Sequence, residues 1–209
     1  MNILLIGATG MVGSRILNEA LSRGHTVTAA VRDPARLPAH PAVTPVALDV
    51  TSAAAVIPQA QADDVIISAV SPRNSDDAVA DALAFTEALI AVQKATGKRL
   101  LMVGGGSSLN MPDGSSALDD APKAILPEAT GMRRAYARLV DADTDFAVLA
   151  PGGTIAPGER TGSFRLSGRT MLTDDTGAPS HISAEDFAIA MLDEAETPRH
   201  FRTIFNVAY

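Results

Sequence analysis

The 209 residues contain no cysteine and no tryptophan, and aromatic residues make up only 4%. Without cysteine, disulfides, thiolate catalysis and cysteine-ligated metal are excluded. With so few aromatics, the core must be built mostly from Ala, Val, Leu and Ile. Positive charge is not in excess either. The formal net charge is -7, which argues against a general nucleic-acid binder. No apolar run is long enough to span a bilayer. The amino terminus carries no basic segment and no cleavage site, so no signal peptide is expected and the expected location is cytoplasmic. Internal repeats, low-complexity stretches and metal-ligand spacings of His, Asp and Glu are all missing.

What is present has a clear centre in the first thirteen residues. Asn2 to Ile6 is short and nearly all apolar, as a strand buried on both faces of a parallel sheet would be. Gly7, Gly10 and Gly13 follow at three-residue spacing, and from Ser14 the apolar pattern turns helical. Gly7 permits a sharp turn off the strand, Gly10 lets a diphosphate approach the backbone, and Gly13 lets the helix pack closely. The N–H groups of Met11, Val12 and Gly13 precede the first intrahelical bond and face a bound anion with the helix dipole behind them. Gly7, Thr9, Gly10, Met11, Val12 and Gly13 are thus the expected dinucleotide cradle.

Thr26 to Val31 forms a second apolar run after Arg23-Gly24-His25, completing a β-α-β unit. Its end bears on the choice of cofactor. NAD-binding units place an acidic residue here for the ribose hydroxyls, whereas this chain has Arg32, then Asp33-Pro34-Ala35-Arg36. Arg32, with Arg36 as a second contact, suits a 2′-phosphate, which favours NADPH over NADH. The competing arrangement has Arg32 stacked on adenine and Asp33 on the ribose.

Val43 to Leu48 reads as a third strand, ending at Asp49-Val50. That pair suits the adenine amino group and ring edge, although Asp49 serves equally as the cap of the next helix. Asp64 to Ser68 is a fourth strand. Ala69 and Val70 after it are small enough for a cofactor to cross the sheet at its switch point. Asp76 to Ala95 reads as one long helix, Arg99 to Val103 as the fifth strand, Thr130 to Ala142 as a helix and Phe146 to Ala150 as the sixth strand. Between the fifth strand and Ala129 lies a Gly-, Ser-, Asp- and Pro-rich segment of a length usual only for functional or disordered loops. We read it as a substrate lid whose apolar underside is Leu109, Met111, Leu118, Ile125 and Leu126. Thr161 to Thr173 reads as short strands or a hairpin outside the main sheet. Ser183 opens a further helix with a capping-box-like pattern, and Thr203 to Val207 closes the chain. The expected fold is therefore α/β: a Rossmann domain over residues 1–209, doubly wound, mostly parallel, with helices on both faces and small substrate-side elements around 104–129 and 152–182.

Several stretches together carry a family resemblance. They are Gly7-Ala8-Thr9-Gly10-Met11-Val12-Gly13, Arg23-Gly24-His25-Thr26-Val27, Val31-Arg32-Asp33-Pro34 and Val103-Gly104-Gly105-Gly106-Ser107. The most distinctive is Pro157-Gly158-Glu159-Arg160-Thr161-Gly162 with Ser163-Phe164-Arg165-Leu166, followed by Ile182-Ser183-Ala184-Glu185-Asp186. With them the whole chain resembles the atypical short-chain dehydrogenase/reductases. It is most similar to the NADH-flavin reductase branch, related to NmrA-like proteins and to biliverdin-IXβ/flavin reductase. The resemblance implies a nicotinamide cofactor and reduction of a flavin, quinone or similar small-molecule acceptor, with FMN or FAD as a substrate. It places Ser107 or Ser108 beside the reacting carbon, where either bonds the acceptor or merely satisfies its own loop backbone. Gly104 and Pro151 are expected on the nicotinamide, with Gly152 and Thr154 at its border. Arg160 is expected as an anchor for an acceptor phosphate or carboxylate, against the alternative of a surface ion pair.

Alcohol chemistry in this superfamily uses a Tyr-x-x-x-Lys pair, the Lys lowering the phenol pKa for proton transfer. Tyr136 is followed four residues later by Val140, with Arg134 and Arg138 nearby, and its expected role is packing. Reducing a flavin or quinone spreads the new charge over a ring, and solvent supplies the proton, so positioning dominates. The expectation is a flavin or quinone reductase acting as a monomer or homodimer without nucleic-acid or membrane partners. An NADP sensor that does not turn over and an NADP-dependent epimerase or dehydratase are the alternatives.

Overall fold

A computed structural model describes residues 1–73 and 75–209. From the amino terminus the order is β1 (Asn2–Ile6), α1 (Met11–Ser22), β2 (Thr26–Val31), β3 (Val43–Ala47), α2 (Ala53–Ala62), β4 (Val65–Ser68), α3 (Ala78–Thr96), β5 (Arg99–Val103), α4 (Leu126–Asp141) and β6 (Phe146–Pro151), strands alternating with helices except that a short turn over Pro34–Arg36 stands between β2 and β3. They are followed by β7 (Gly153–Ala156), β8 (Arg165–Ser167), β9 (Ser180–Ser183), α5 (Ala184–Glu196) and β10 (Thr203–Ala208). The main sheet runs β3-β2-β1-β4-β5-β6-β10-β8. All its pairings are parallel except the last, β10 with β8. This is the Rossmann order, and the chain reverses direction across the sheet between β1 and β4.

The sheet is buried on both faces because its strands are apolar at successive positions. Leu4, Ile6, Ile66, Leu100 and Val148 face one core with α2, α3 and α4. Ile3, Leu5, Ile67, Leu101 and Leu149 face the other with α1 and α5. Two helices on one side and three on the other give the doubly wound arrangement.

Three expectations need correction. First, α4 starts at Leu126, four residues before Thr130. Pro127 in the first turn reads in sequence as a loop residue, but it has no N–H to lose there, and Glu128 favours the positive helix end. Second, 161–173 is not wholly outside the main sheet, because β8 forms its antiparallel edge. Buried Asn206 of β10 holds that segment, donating to the carbonyls of Gly168 and Thr170 at 2.6 and 2.8 Å and accepting from Leu172 N–H at 3.1 Å. Third, β7 and β9 form a separate two-stranded parallel sheet, and residues 153–156 gave no local strand signal.

Candidate functional site

Because β1 to β6 are parallel, their carboxyl ends lie along one edge of the sheet. In spatial order that edge presents Asp49 and Val50 after β3, Arg32 after β2, the glycine turn after β1, Ala69 and Val70 after β4, Gly104 after β5, and Pro151 at the end of β6. Five inter-strand spacings of about 4.8 Å make this a row about 24 Å long. The sequence-predicted residues are thereby brought together as one line of elements, with the glycine turn at the switch point.

The turn itself has two kinds of glycine. Gly7 has φ +86°, and a Cβ there would meet the Ala69 carbonyl oxygen at 3.0 Å and Val70 Cγ1 at 3.3 Å. Gly13 is buried in α1, under the turn. Gly10 differs. Its φ of -74° is open to any residue, and a Cβ would meet only the Gly7 carbonyl oxygen, at an ordinary 3.4 Å. Nothing in the chain demands a glycine at position 10, so the space beside it is open to an external group.

The helix end matches that opening. Ser14 N–H bonds to the Gly10 carbonyl at 2.9 Å, which leaves the earlier N–H groups without intrahelical partners. Gly10 caps α1 with no side-chain bond, and no acidic residue lies in the first turn. By contrast, α3 is capped by Asp77 and α5 by Ser183, the latter with Glu185 and Asp186 in its first turn. The positive end of α1 is unneutralised, which suits a diphosphate. Thr9, Met11 and Val12 are half-buried around it.

At the β2 end, Arg32 and Arg36 are exposed, Arg36 closing a short turn over Pro34–Arg36. Asp33 caps that turn, accepting from Ala35 N–H at 3.1 Å. Asp49 accepts from Thr51 N–H and from the Thr51 hydroxyl at 2.9 and 2.8 Å. Those bonds, with the nearby Arg32 charge, hold its carboxyl below the usual range. Asp49 thus braces the turn ahead of α2, although Ser52 is the cap residue.

At the β5 end the backbone makes a tight turn over Gly106–Ser108. Ser107 is half-buried. Ser108 is 1% exposed, and its Oγ has no partner among the described residues. Leu109 is fully buried in the core and Met111 packs against it. Asn110 N–H donates to the Arg169 carbonyl at 3.0 Å and its carbonyl accepts from Met171 N–H at 2.8 Å, so this part of the expected lid is fastened. Ile125 and Leu126 are 46% and 40% exposed and do not form an underside. Thr154 lies exposed on β7 beyond Pro151.

Arg160 is not at this edge. Its Nε and Nη2 each donate to the Glu19 carboxylate of α1 at 2.9 Å. Gly158 N–H donates to Glu185 at 2.8 Å, and Thr161 and Gly162 N–H both donate to fully buried Asp186 at 2.9 Å. Burial pushes the Asp186 carboxyl up, but the bonds from Thr161, Gly162 and the Tyr209 hydroxyl outweigh it and hold it low. The Pro157–Gly162 stretch therefore clasps α1 to α5, and its arginine is already neutralised by Glu19. Tyr136 packs edge-on against Phe146, ring centroids 6.5 Å apart, with the Arg169 guanidinium over its face.

One residue at the edge escaped the sequence. Arg133 of α4 donates through Nη1 to the carbonyls of Ser107 at 3.0 Å and Leu109 at 3.4 Å. It borders the buried stripe of Ala129, Met132 and Tyr136, and only the path of the turn after β5 gives that position meaning. Among the described residues no helix is long and apolar enough to cross a membrane, and no three His, Asp or Glu side chains are grouped as metal ligands.

The sequence profile of the NAD(P)H-binding family matches residues 7–198. The uncharacterized protein YwnB of Bacillus subtilis is 32% identical over 225 aligned residues, covering 99% of this chain and 98% of that one. A Bacteroides thetaiotaomicron structure provisionally named an epimerase superposes with a TM-score of 0.91 at 36% identity, over 100% of this chain and 96% of that one. A Streptococcus pneumoniae structure provisionally named an NADH-flavin reductase superposes with a TM-score of 0.86 at 27% identity, over 100% and 99%.

Proposed function

This chain belongs to the NAD(P)H-binding family, and from that premise we propose that it is an NADPH-dependent oxidoreductase transferring hydride to a flavin, quinone or similar conjugated acceptor. The observation that carries the cofactor half is the acid-free, uncapped start of α1 beside an open Gly10. The dinucleotide, when bound, supplies the hydride. The chain supplies the rest: Gly7, Thr9, Gly10, Met11, Val12 and Gly13 hold the diphosphate, and Asp49 and Val50 border the adenine. Ala69 and Val70 let the cofactor cross the sheet, Gly104 and Pro151 back the nicotinamide, and of the two serines the half-buried Ser107 meets the acceptor, since the Ser108 hydroxyl is buried in the turn. Leu109 and Met111 support that turn from beneath rather than touching the acceptor, and Thr154 borders the acceptor side.

The preference for NADPH rests on Arg32 and Arg36. Asp33, the residue that would otherwise serve the ribose hydroxyls, already uses one carboxylate oxygen to cap its own turn. A charge-assisted hydrogen bond from Arg32 to a 2′-phosphate is worth about 1.5–3 kcal/mol, roughly a ten- to hundred-fold preference. The acceptor class rests on the absence of a Tyr-Lys pair, since a delocalising ring needs no protein acid to hold the new charge. The working form is a monomer or homodimer in the cytoplasm, acting on small molecules only.

Steady-state NADPH oxidation with FMN, riboflavin and small quinones tests this. Turnover with one of these classes is the expected result. Tight NADPH binding without turnover on any of them favours an NADP sensor. Conversion of a sugar nucleotide without net NADPH consumption favours the epimerase that the Bacteroides neighbour's name suggests.

A further inference from the structure

Arg15, Arg23, Arg99, Arg133 and Arg138 are the half-buried arginines among the described residues. Four of them pair with carboxylates: Arg15 with Glu185, Arg23 with Glu19, Arg99 with Glu194 and Arg138 with Glu87. Arg133 has no carboxylate within 4.0 Å among the described residues. Among the described residues its bonds are those from Nη1 to the Ser107 and Leu109 carbonyls, and Nε and Nη2 are left open to solvent or a ligand. Taking a guanidinium partly out of water is costly unless an anion compensates. Two carbonyls satisfy one nitrogen and leave the charge intact. That charge lies against the turn after β5, at the backbone of Ser107 and Leu109.

We propose that Arg133 is the fixed positive charge of the acceptor site, so that the acceptor is one whose reduced form carries negative charge beside Ser107–Leu109. The inference rests on the reductase reading above. The exchange takes one hydride from NADPH and one proton from water. NADPH is oxidised to NADP+, the acceptor gains two electrons, and the added pair settles on a ring nitrogen or oxygen until the proton arrives. A preorganised cation beside that atom lowers the energy of the charged form more than that of the neutral oxidised ring, which raises the rate rather than merely the affinity. This charge would do the work left undone by the missing Tyr-Lys pair, by electrostatics instead of proton donation.

The test separates charge from scaffolding. Arg133→Gln keeps an N–H donor for the two carbonyls but removes the charge, whereas Arg133→Lys keeps the charge. Riboflavin is the probe, since it has no phosphate to bring a second anion. We expect kcat to fall about 100-fold in Arg133→Gln, with KM for NADPH and Tm unchanged, and to recover to within about tenfold of wild type in Arg133→Lys. Anaerobic titration gives a readout independent of turnover. Wild type should bind reduced, anionic riboflavin roughly tenfold more tightly than the oxidised form, and Arg133→Gln should lose that difference. Equal kcat in the two variants, or an unchanged reduced-to-oxidised binding ratio in Arg133→Gln, overturns the proposal while leaving the reductase reading in place. A wild-type protein that turns over no flavin or quinone overturns the reductase reading and this proposal with it.

Discussion

A Cβ on Gly13 would lie 2.1 Å from the carbonyl oxygen of Gly7. The first helix therefore docks on the turn that precedes it only because one residue has no side chain. Gly13→Ala must push α1 off β1, an overpacking of the kind that costs about 1–3 kcal/mol or more. We expect Tm to fall by roughly 10 °C, or the chain not to accumulate folded. Thermal unfolding followed by circular dichroism measures it.

Arg32→Ala should weaken NADPH binding about ten- to hundred-fold and leave NADH binding within about twofold. Parallel fluorescence titrations of the two nucleotides make the comparison. A similar loss for both would assign Arg32 to the adenine ring instead of the 2′-phosphate.

Arg160 and Glu19 give a prediction about acid stability. The Arg160 bonds, aided by those from Arg23 and opposed by burial, hold the Glu19 carboxyl below the usual range. Between that lowered value and the unfolded carboxyl value of about 4.3, the folded chain binds fewer protons than the unfolded one, so stability rises with pH. The contribution is complete above this window and lost as pH falls through it. Arg160→Ala should lower Tm at neutral pH and flatten its fall as pH drops below the unfolded carboxyl value of about 4.3, while kcat/KM for any acceptor stays at the wild-type value. A selective rise in acceptor KM would instead return Arg160 to the active site.

Much of the architecture was legible because it is local. The apolar run Asn2–Ile6, the three glycines and the helical repeat from Ser14 lie within one short stretch, and the parallel order follows from strands that alternate with helices. The parts that were not legible depend on distant partners. Arg160 reaches Glu19 across 141 positions, so the sequence offered an ion pair as the alternative role but gave no means of naming its partner. The β8 edge exists because Asn206 holds residues some forty positions earlier. Arg133 looked like any arginine on a helix until the turn after β5 was seen to pass beside it. Pro127 was misread because proline stops a helix in its interior and begins one in its first turn.

The most direct test of the dinucleotide cradle is an NADPH titration of Gly10→Ala beside wild type, with Tm recorded on the same samples. Backbone geometry at position 10 is ordinary and the added methyl meets only one atom at 3.4 Å. The variant should therefore fold, with Tm within about 4 °C of wild type, yet bind NADPH at least tenfold more weakly because the diphosphate can no longer reach the backbone. A folded Gly10→Ala protein that binds NADPH as tightly as wild type, or a wild type that binds neither nicotinamide nucleotide, would contradict the account.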